Sequence, residues 1–569
     1  MSGEAGERGR VVAWLLVALA AGTLLRVIFL TADPPWQTPV GITWHDEGPW
    51  VHNARNRVLF GAWSTDAWNP MYLTPVFTAL EYVAFAVAGV GTWQARLVPV
   101  TLGLASIVWL AIGMTRLGGA RAGLIAAVLL STNYIYVMWN RAALMEGTMT
   151  AFIVASWCAY ALAERRPAFG LLAGLAALLA FFTKAAAAFF VGALALDAFI
   201  TLAVAWHARR NGEEGPAAAD VRGAWWTLGG LAIFGLVALA IFVVPFWTEF
   251  RFYNWQMSVT RKPAYSVKAF LDRASWVPIV HDFFTRQFLL TVVTVTWCLG
   301  LLARWRAVRP AERLLGLWIG LGLAELIFHD VGNERRFVFF IPAMVGVTAL
   351  VLGRGDRFVP SSVANASWPV RLAVFPLVAY GFYIVGGALA RLPWLYQVCL
   401  GVRSAVVIAL AATALVYLFW NRLLSWLGRG SWPATATAAI VGILVAGDLV
   451  QFVQWARIRT YENVEASRLV GELLPPGTLV HGKLANGLAL ENRIRPVFVG
   501  RGFGNYDDRR NRNDIRYVLT YVTPRIGYEG QVITDVLDAH AGWHVLRTFP
   551  VAETSGGRDM AALIEKPRP

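Results

Sequence analysis

Apolar positions in this chain gather into long runs separated by short polar breaks. Runs of about twenty apolar residues, long enough for a helix to cross a hydrocarbon layer roughly 30 Å thick, fall at 11–31, 94–115, 120–138, 144–163, 168–183, 186–206, 225–247, 286–303, 313–328, 336–352, 371–390, 402–420 and 433–455. The pattern predicts thirteen crossing helices. A further apolar segment, 71–90, has Pro75 near its start and Glu81 in its middle. A carboxylate at bilayer depth costs about 2.5 to 3.5 kcal/mol, so this segment is expected to be an interfacial or re-entrant helix. Parity supports that assignment. With thirteen crossings and a cytoplasmic N-terminus, the loops 116–121, 164–166, 207–222, 304–313, 354–371 and 422–429 all lie inside, and every one is arginine-rich, as the positive-inside rule requires. Counting 71–90 as a crossing would move all of them outside. The odd number also places the chain from about Arg457 onward on the exoplasmic side.

After the last run the periodicity changes. Residues 462–474 read as an amphipathic helix ended by Pro475-Pro476-Gly477, and 478–482, 496–500, 517–522 and 544–551 read as short strands between turn signals. The expected architecture is therefore a polytopic α-helical membrane domain, 1–455, whose first exoplasmic loop spans 32–93, followed by a small exoplasmic α/β domain, 456–569. The polar run 505–514 is expected to be a solvated loop and 211–220 a cytoplasmic linker.

Composition agrees with the pattern. Of 569 residues 57% are hydrophobic and 15% charged, outside the range of a soluble protein. The net charge of +15 is carried mainly by arginines between apolar runs, so it encodes topology and not a nucleic-acid partner. Cys158, Cys298 and Cys399 lie within apolar runs and imply no disulfide framework. The first apolar run is too long for the core of a cleaved signal and is taken as an uncleaved span.

The chemistry gathers on the exoplasmic face. Trp44-His45-Asp46-Glu47-Gly48-Pro49-Trp50 opens the first loop. The same face receives Arg141 to Glu146, Lys184 and the segment His329 to Arg336. An adjacent Asp-Glu pair on irregular backbone is by itself as compatible with a solvated loop as with catalysis, and Arg141 with a snorkelling anchor. Lys184, between Phe181-Phe182-Thr183 and four alanines, asks for an anionic partner. A loop carboxylate could act as general base, while Lys184, Arg141, Arg335 and Arg336 could hold a phosphate. The first residues of the span after Arg336 add free backbone donors. No cofactor is expected. A divalent cation on His45, Asp46, Glu47 and His52 is the lesser alternative, since hard-cation sites ask for more carboxylates.

The order of these motifs resembles the glycosyltransferase C superfamily, in particular the protein O-mannosyltransferase and aminoarabinose transferase group, glycosyltransferase family 39. The resemblance rests on Asp46-Glu47, Ala95-Arg96-Leu97-Val98-Pro99, the stretch Arg116 to Gly123, Asn140-Arg141-Ala142-Ala143-Leu144-Met145-Glu146, the run from Gly174-Leu175-Ala176 to Thr183-Lys184, and Glu334-Arg335-Arg336-Phe337 with Pro342. It covers roughly residues 10–350. It implies transfer of a sugar, with inversion, from a polyprenyl-phosphate carrier to a protein, lipid or polysaccharide acceptor outside the cytoplasm, in a cell inner or plasma membrane. By that resemblance Asp46 and Glu47 form the catalytic pair, with Asp46 the base. Lys184 with Arg335 or Arg336 grips the carrier phosphate, and His45, Arg141, Glu146 and Glu334 complete the substrate-binding set. Where the group usually carries Lys-Pro-Pro or His-Pro-Pro, this chain has Asn69-Pro70-Met71-Tyr72, without cation or imidazole. The external segment 251–282, rich in aromatics, is a candidate for acceptor choice. The rival reading is a transporter or flippase of a lipid-linked saccharide, which would place charges near the midplane and show internal repeats.

Overall fold

The computed structural model describes residues 2–35, 42–256, 282–305, 308–329, 334–354, 367–390, 402–422, 434–498, 512, 514–522, 540, 542–552 and 559–567. A helix overlies each of the predicted apolar runs. These are α1 (Ser2–Val27), the two halves of α4 (Thr92–Thr132), α6 (Met145–Ala163), α7 (Phe169–Thr183), α8 (Ala188–Asn211), α9 (Ala218–Ala238), α10 (Phe288–Arg304), α11 (Pro310–His329), α12 (Phe340–Arg354), α13 (Trp368–Ala390), α14 (Val402–Leu418) and α15 (Ala434–Ile458). Between them lie α2 (Glu47–Phe60) and α3 (Pro75–Ala88) in the first loop, and the short α5 (Tyr134–Trp139). Among the described residues, four helical stretches are long and apolar enough, by length and composition alone, to cross a membrane. The protein is a multi-pass membrane protein.

α4 is two helices in one, broken at Gly119 (φ 82°, ψ 176°), a conformation open to glycine and strained for any residue with a Cβ. The break separates the predicted runs 94–115 and 120–138. α3 has 14 residues, about 21 Å of helix at 1.5 Å per residue. Length does not set it apart, since α7 and α12 have 15 residues each; the buried carboxylate of Glu81 is what fits an interfacial placement. Four of the arginine-rich turns that parity put on one side meet at one end of the bundle through Arg116, Glu164, Arg309 and Arg354. There Arg116 pairs with Glu164 at 3.3 Å and Arg354 with Glu312 at 3.0 Å, while Arg354 also donates to the Leu117 carbonyl.

The chain after α15 forms α16 (Glu462–Leu473) and a five-stranded sheet. The strands are β1 (Leu479–His481), β2 (Arg495–Val497), β3 (Tyr517–Tyr521), β4 (His544–Val551) and β5 (Asp559–Glu565), in the order β2-β1-β3-β5-β4. β1 runs parallel to β2 and β3, whereas β5 runs antiparallel to β3 and β4. Four of the strands coincide with the sequence expectation. β5 does not: it lies between two strands and is buried at six of its seven positions, so it lacks the polar alternation that marks a half-exposed strand. Residues 499–511 and 257–281, which include most of the expected solvated loop and of the acceptor-choice segment, lie outside the described residues.

This domain is clamped onto the first loop. Arg55 of α2, fully buried, donates to the carbonyls of Ala489, Asn492 and Ile494 at 2.9 to 3.0 Å. Trp44 donates its indole N–H to the Ala552 carbonyl at 2.9 Å. Asp33 receives the Thr460 hydroxyl and the backbone N–H groups of Glu462 and Asn463, and burial raises its carboxyl above the usual range despite those donors. Gly48 is pressed against the domain so closely that a Cβ there would overlap the Asn486 carbonyl oxygen. In an exposed helix Gly→Ala stabilises; here Gly48→Ala is expected to lower stability by about 1–3 kcal/mol through overpacking. A fall in the thermal midpoint of the purified full chain checks it, and an unchanged or raised midpoint would refute the close docking.

Candidate active site

Three buried arginines build the floor under the Asp-Glu motif by stitching the end of α1 to the bundle. α1 runs out at Val27 and the chain turns through Phe29, which sits at φ 54°, a costly conformation for a bulky residue. Six carbonyls of that turn are taken by two arginines. Arg141 donates to Leu25, Arg26, Ile28 and Phe29 at 2.5 to 3.1 Å and stacks on Trp455. Arg96 donates to Leu30 and Ala32, both at 2.7 Å. Arg26 bonds Asn140 Oδ1 at 3.0 Å and the carbonyls of Gly22, Ser131 and Leu130. Arg141 is thus a helix cap wedged in the scaffold.

On that floor the two adjacent carboxylates part company. A single 3₁₀ turn, Trp44–Asp46, leads into α2 at Glu47. Glu47, 4% exposed, is held bidentately by Arg96, Oε1 to Nε at 2.8 Å and Oε2 to Nη2 at 2.6 Å. It also accepts the Ala143 N–H at 2.7 Å. Both oxygens are engaged. Asp46, with 20% of its side chain exposed, accepts from Arg335 Nη1 at 3.2 Å and lies 3.7 Å from His45 Nε2.

Behind Arg335 lies the second carboxylate of the site. Glu146, in the first turn of α6 and buried, takes Lys184 Nζ at 2.5 Å and lies 3.7 Å from Arg335 Nε. Lys184 caps α7 in extended backbone, where the chain turns toward α8, and this turn aims it at Glu146. Arg336 stands within electrostatic range of Lys184. Lys184 therefore has the anionic partner its apolar surroundings demand. The structure brings together Asp46, Glu146, Lys184, Arg335 and Arg336, three cations against two carboxylates, an excess of one positive charge. Glu334 begins the helical turn Glu334–Phe337, but its side chain is outside the described set.

The remaining candidates have other employment. His45, 8% exposed, bonds the Tyr521 hydroxyl through Nδ1 at 3.0 Å. His52 is buried, its Nε2 3.1 Å from Asp66 Oδ1 and 2.9 Å from Asn56 Nδ2. The imidazole of His52 and the carboxylate of Glu47 are thus committed elsewhere, and among the described residues no three metal-binding side chains converge. Sequence reasoning missed three contributors. Arg96 stood inside a quoted motif, but only the fold shows that it answers Glu47. Asp66 and Tyr521 carry no local signal at all.

The protein is a multi-pass membrane protein, and its fold is similar to that of solved structures. A structure of ArnT from Cupriavidus metallidurans bound to undecaprenyl phosphate matches over 98% of each chain, with 16% identity and a TM-score of 0.56. The apo form of that protein matches over 98% of each chain, with 18% identity and a TM-score of 0.54. Residues 72–216, which contain Arg96, Arg141, Glu146 and Lys184, match the family model of dolichyl-phosphate-mannose-protein mannosyltransferases. No curated protein sequence matches the chain.

Neighbouring carboxylates with such different surroundings must respond differently to mutation. Glu47→Ala leaves Arg96 buried without its counter-ion and is expected to cost about 3–5 kcal/mol, seen as a lower thermal midpoint and poor recovery from the membrane. Asp46→Asn keeps shape and hydrogen bonding and is expected to leave the midpoint within about 0.5 kcal/mol of wild type. Equal destabilisation by the two would contradict the division described here.

Proposed function

We propose that the protein transfers a sugar from a polyprenyl-phosphate carrier to an acceptor on the exoplasmic side of a cell inner or plasma membrane, with inversion at the anomeric carbon. The observation that carries this reading is the cluster itself: a partly accessible carboxylate, Asp46, beside three cations and one buried carboxylate at one end of a multi-pass bundle. A polyprenyl phosphosugar is a phosphodiester with one negative charge, which the cluster's excess positive charge complements. The undecaprenyl phosphate of the similarly folded ArnT and the match of residues 72–216 to a family of dolichyl-phosphate-mannose users support the same donor class.

Asp46 takes the proton from the acceptor's nucleophilic hydroxyl or amine as that atom attacks the anomeric carbon. The bond to the carrier oxygen breaks, and the carrier leaves as its phosphate, whose growing charge falls to Lys184, Arg335 and Arg336. Glu146 keeps Lys184 charged and aimed, while Glu47, through Arg96, holds the loop that carries Asp46. Arg335 bonds Asp46 at 3.2 Å, so a carrier phosphate that engages Arg335 competes with Asp46 for this cation and frees the base for its task. The arginine-rich end of the bundle is assigned to the cytoplasm together with the N-terminus, and the Asp46 end and the C-terminal domain to the outside. The acceptor is a protein, a lipid or a polysaccharide.

Purified protein in lipid, offered a panel of radiolabelled polyprenyl-phosphate sugars, tests this directly. One donor should bind and turn over; Asp46→Asn should bind it and lose at least about a hundredfold in rate. Lys184→Met and Arg335→Met should instead raise the donor KM by about ten- to a hundredfold, the worth of a charged hydrogen bond. Carriers that cross the bilayer in a protein-dependent way without sugar transfer would replace this function with that of a flippase.

A further inference from the structure

The carboxyl ends of three neighbouring strands of the soluble domain face the loop that carries Asp46. After β2, the Phe498 N–H donates to Asp66 Oδ2 at 2.9 Å and its ring packs on Trp68. After β1, the short helix Lys483–Gly487 lies against His45 and Gly48. β3 ends at Tyr521, whose hydroxyl meets His45 Nδ1 at 3.0 Å with the rings edge-on at 72°. His45 in turn sits with Nε2 3.7 Å from Asp46 Oδ1. Its ring is steadied by an edge contact from Trp44, itself anchored on the Ala552 carbonyl.

We propose that Tyr521, a residue of the soluble domain, is a positioning residue for Asp46 that acts by fixing the tautomer of His45. This inference rests on the reading of Asp46 as the base. A neutral imidazole carries one proton on one of its two nitrogens, and the partner of one nitrogen dictates the state of the other. A phenol hydroxyl donates or accepts; the Asp46 carboxylate, 3.7 Å from Nε2, favours the proton on that nitrogen, and the Tyr521 hydroxyl then donates to Nδ1 and supports that tautomer. The carboxylate then faces the positive end of an N–H across 3.7 Å, longer than a hydrogen bond, and this electrostatic contact favours its ionised form. Without the hydroxyl the ring is free to adopt the other tautomer, which turns a lone pair toward the carboxylate and favours its protonated form. Among the described residues the ionisable groups around His45 are Asp46 and Tyr521. Arg335 faces Asp46 from the bundle, with Glu146 and Lys184 behind it.

The test uses the full chain in lipid with the polyprenyl-phosphate sugar that wild type turns over, followed from about pH 5 to 9, the range in which an acid limb reports an essential base. Tyr521→Phe should lower kcat about tenfold, leave the donor KM and the thermal midpoint unchanged, and move the acid limb up by about one unit. His45→Gln presents an amide N–H toward Asp46 without help from Tyr521. Whatever kcat it retains, adding Tyr521→Phe to it should cost nothing more. A Tyr521→Phe enzyme with the wild-type pH profile would overturn the proposal. So would a loss that adds in full to His45→Gln, or a fall in midpoint with kcat and KM changing together. Asp46→Asn, measured alongside, separates the two levels. If it keeps wild-type turnover, the base assignment itself is wrong. If it is inactive while Tyr521→Phe is normal, only the role of Tyr521 falls.

Discussion

The buried pair of Glu47 and Arg96 is the constraint on which the Asp46 end of the molecule depends. Taking both charges out of water costs several kcal/mol each, and only dense hydrogen bonding offsets that. Here it is dense: two parallel bonds join the pair, Ala143 donates a third to Glu47, and Arg96 gives a fourth and fifth to Leu30 and Ala32. One pair thereby ties together the end of α1, the start of α2, the first turns of α4 and the turn before α6. Each segment supplies something to the site or its floor. The register of the loop against the bundle is therefore fixed by electrostatics with little tolerance for sliding, because any slip leaves a buried charge unmatched.

The soluble domain belongs to the same unit. Composition changes near residue 456, where the apolar runs end, yet contacts cross this line freely. Arg55 reaches three carbonyls beyond residue 488, Asp33 caps the start of α16, and Trp44 bonds Ala552. Composition records the solvent around a segment. It does not record which segment packs on which, so a boundary drawn from hydropathy separates environments and not mechanical bodies.

The same reasoning explains what was readable from sequence. The bilayer imposes length and apolarity on every crossing helix, so the runs emerge directly, and Glu81 with Pro75 is enough to demote 71–90. The arginine-rich turns carry an expectation of sidedness, because charge is segregated across the membrane by the positive-inside rule. Lys184 announces a partner because a lone cation in that setting is untenable, and Glu146 provides it. Arg141 could not be sorted in advance: a guanidinium that caps a helix and one that grips a phosphate are the same residue in the same kind of place. β5 was hidden because a strand buried on both faces loses the alternation that identifies strands. Tyr521 was hidden because its relation to His45 spans 476 residues and exists only once the domain docks.

Asp46 and Glu47 show how such ambiguity is resolved physically. Consecutive residues at a helix start point roughly 100° apart, so one turn of backbone can send one carboxylate into the scaffold and the other toward the cluster. Their chemistry is nearly identical in water. What separates them is that Glu47 has a bidentate arginine and a backbone donor in a closed space, while Asp46 keeps contact with solvent and shares Arg335 with Glu146. A group whose oxygens are both committed to holding structure has little capacity to accept a substrate proton without releasing that structure. The division of labour in this pair is therefore a property of the partners that the fold delivers, and the Asp-Glu dipeptide alone could have been assigned in either order.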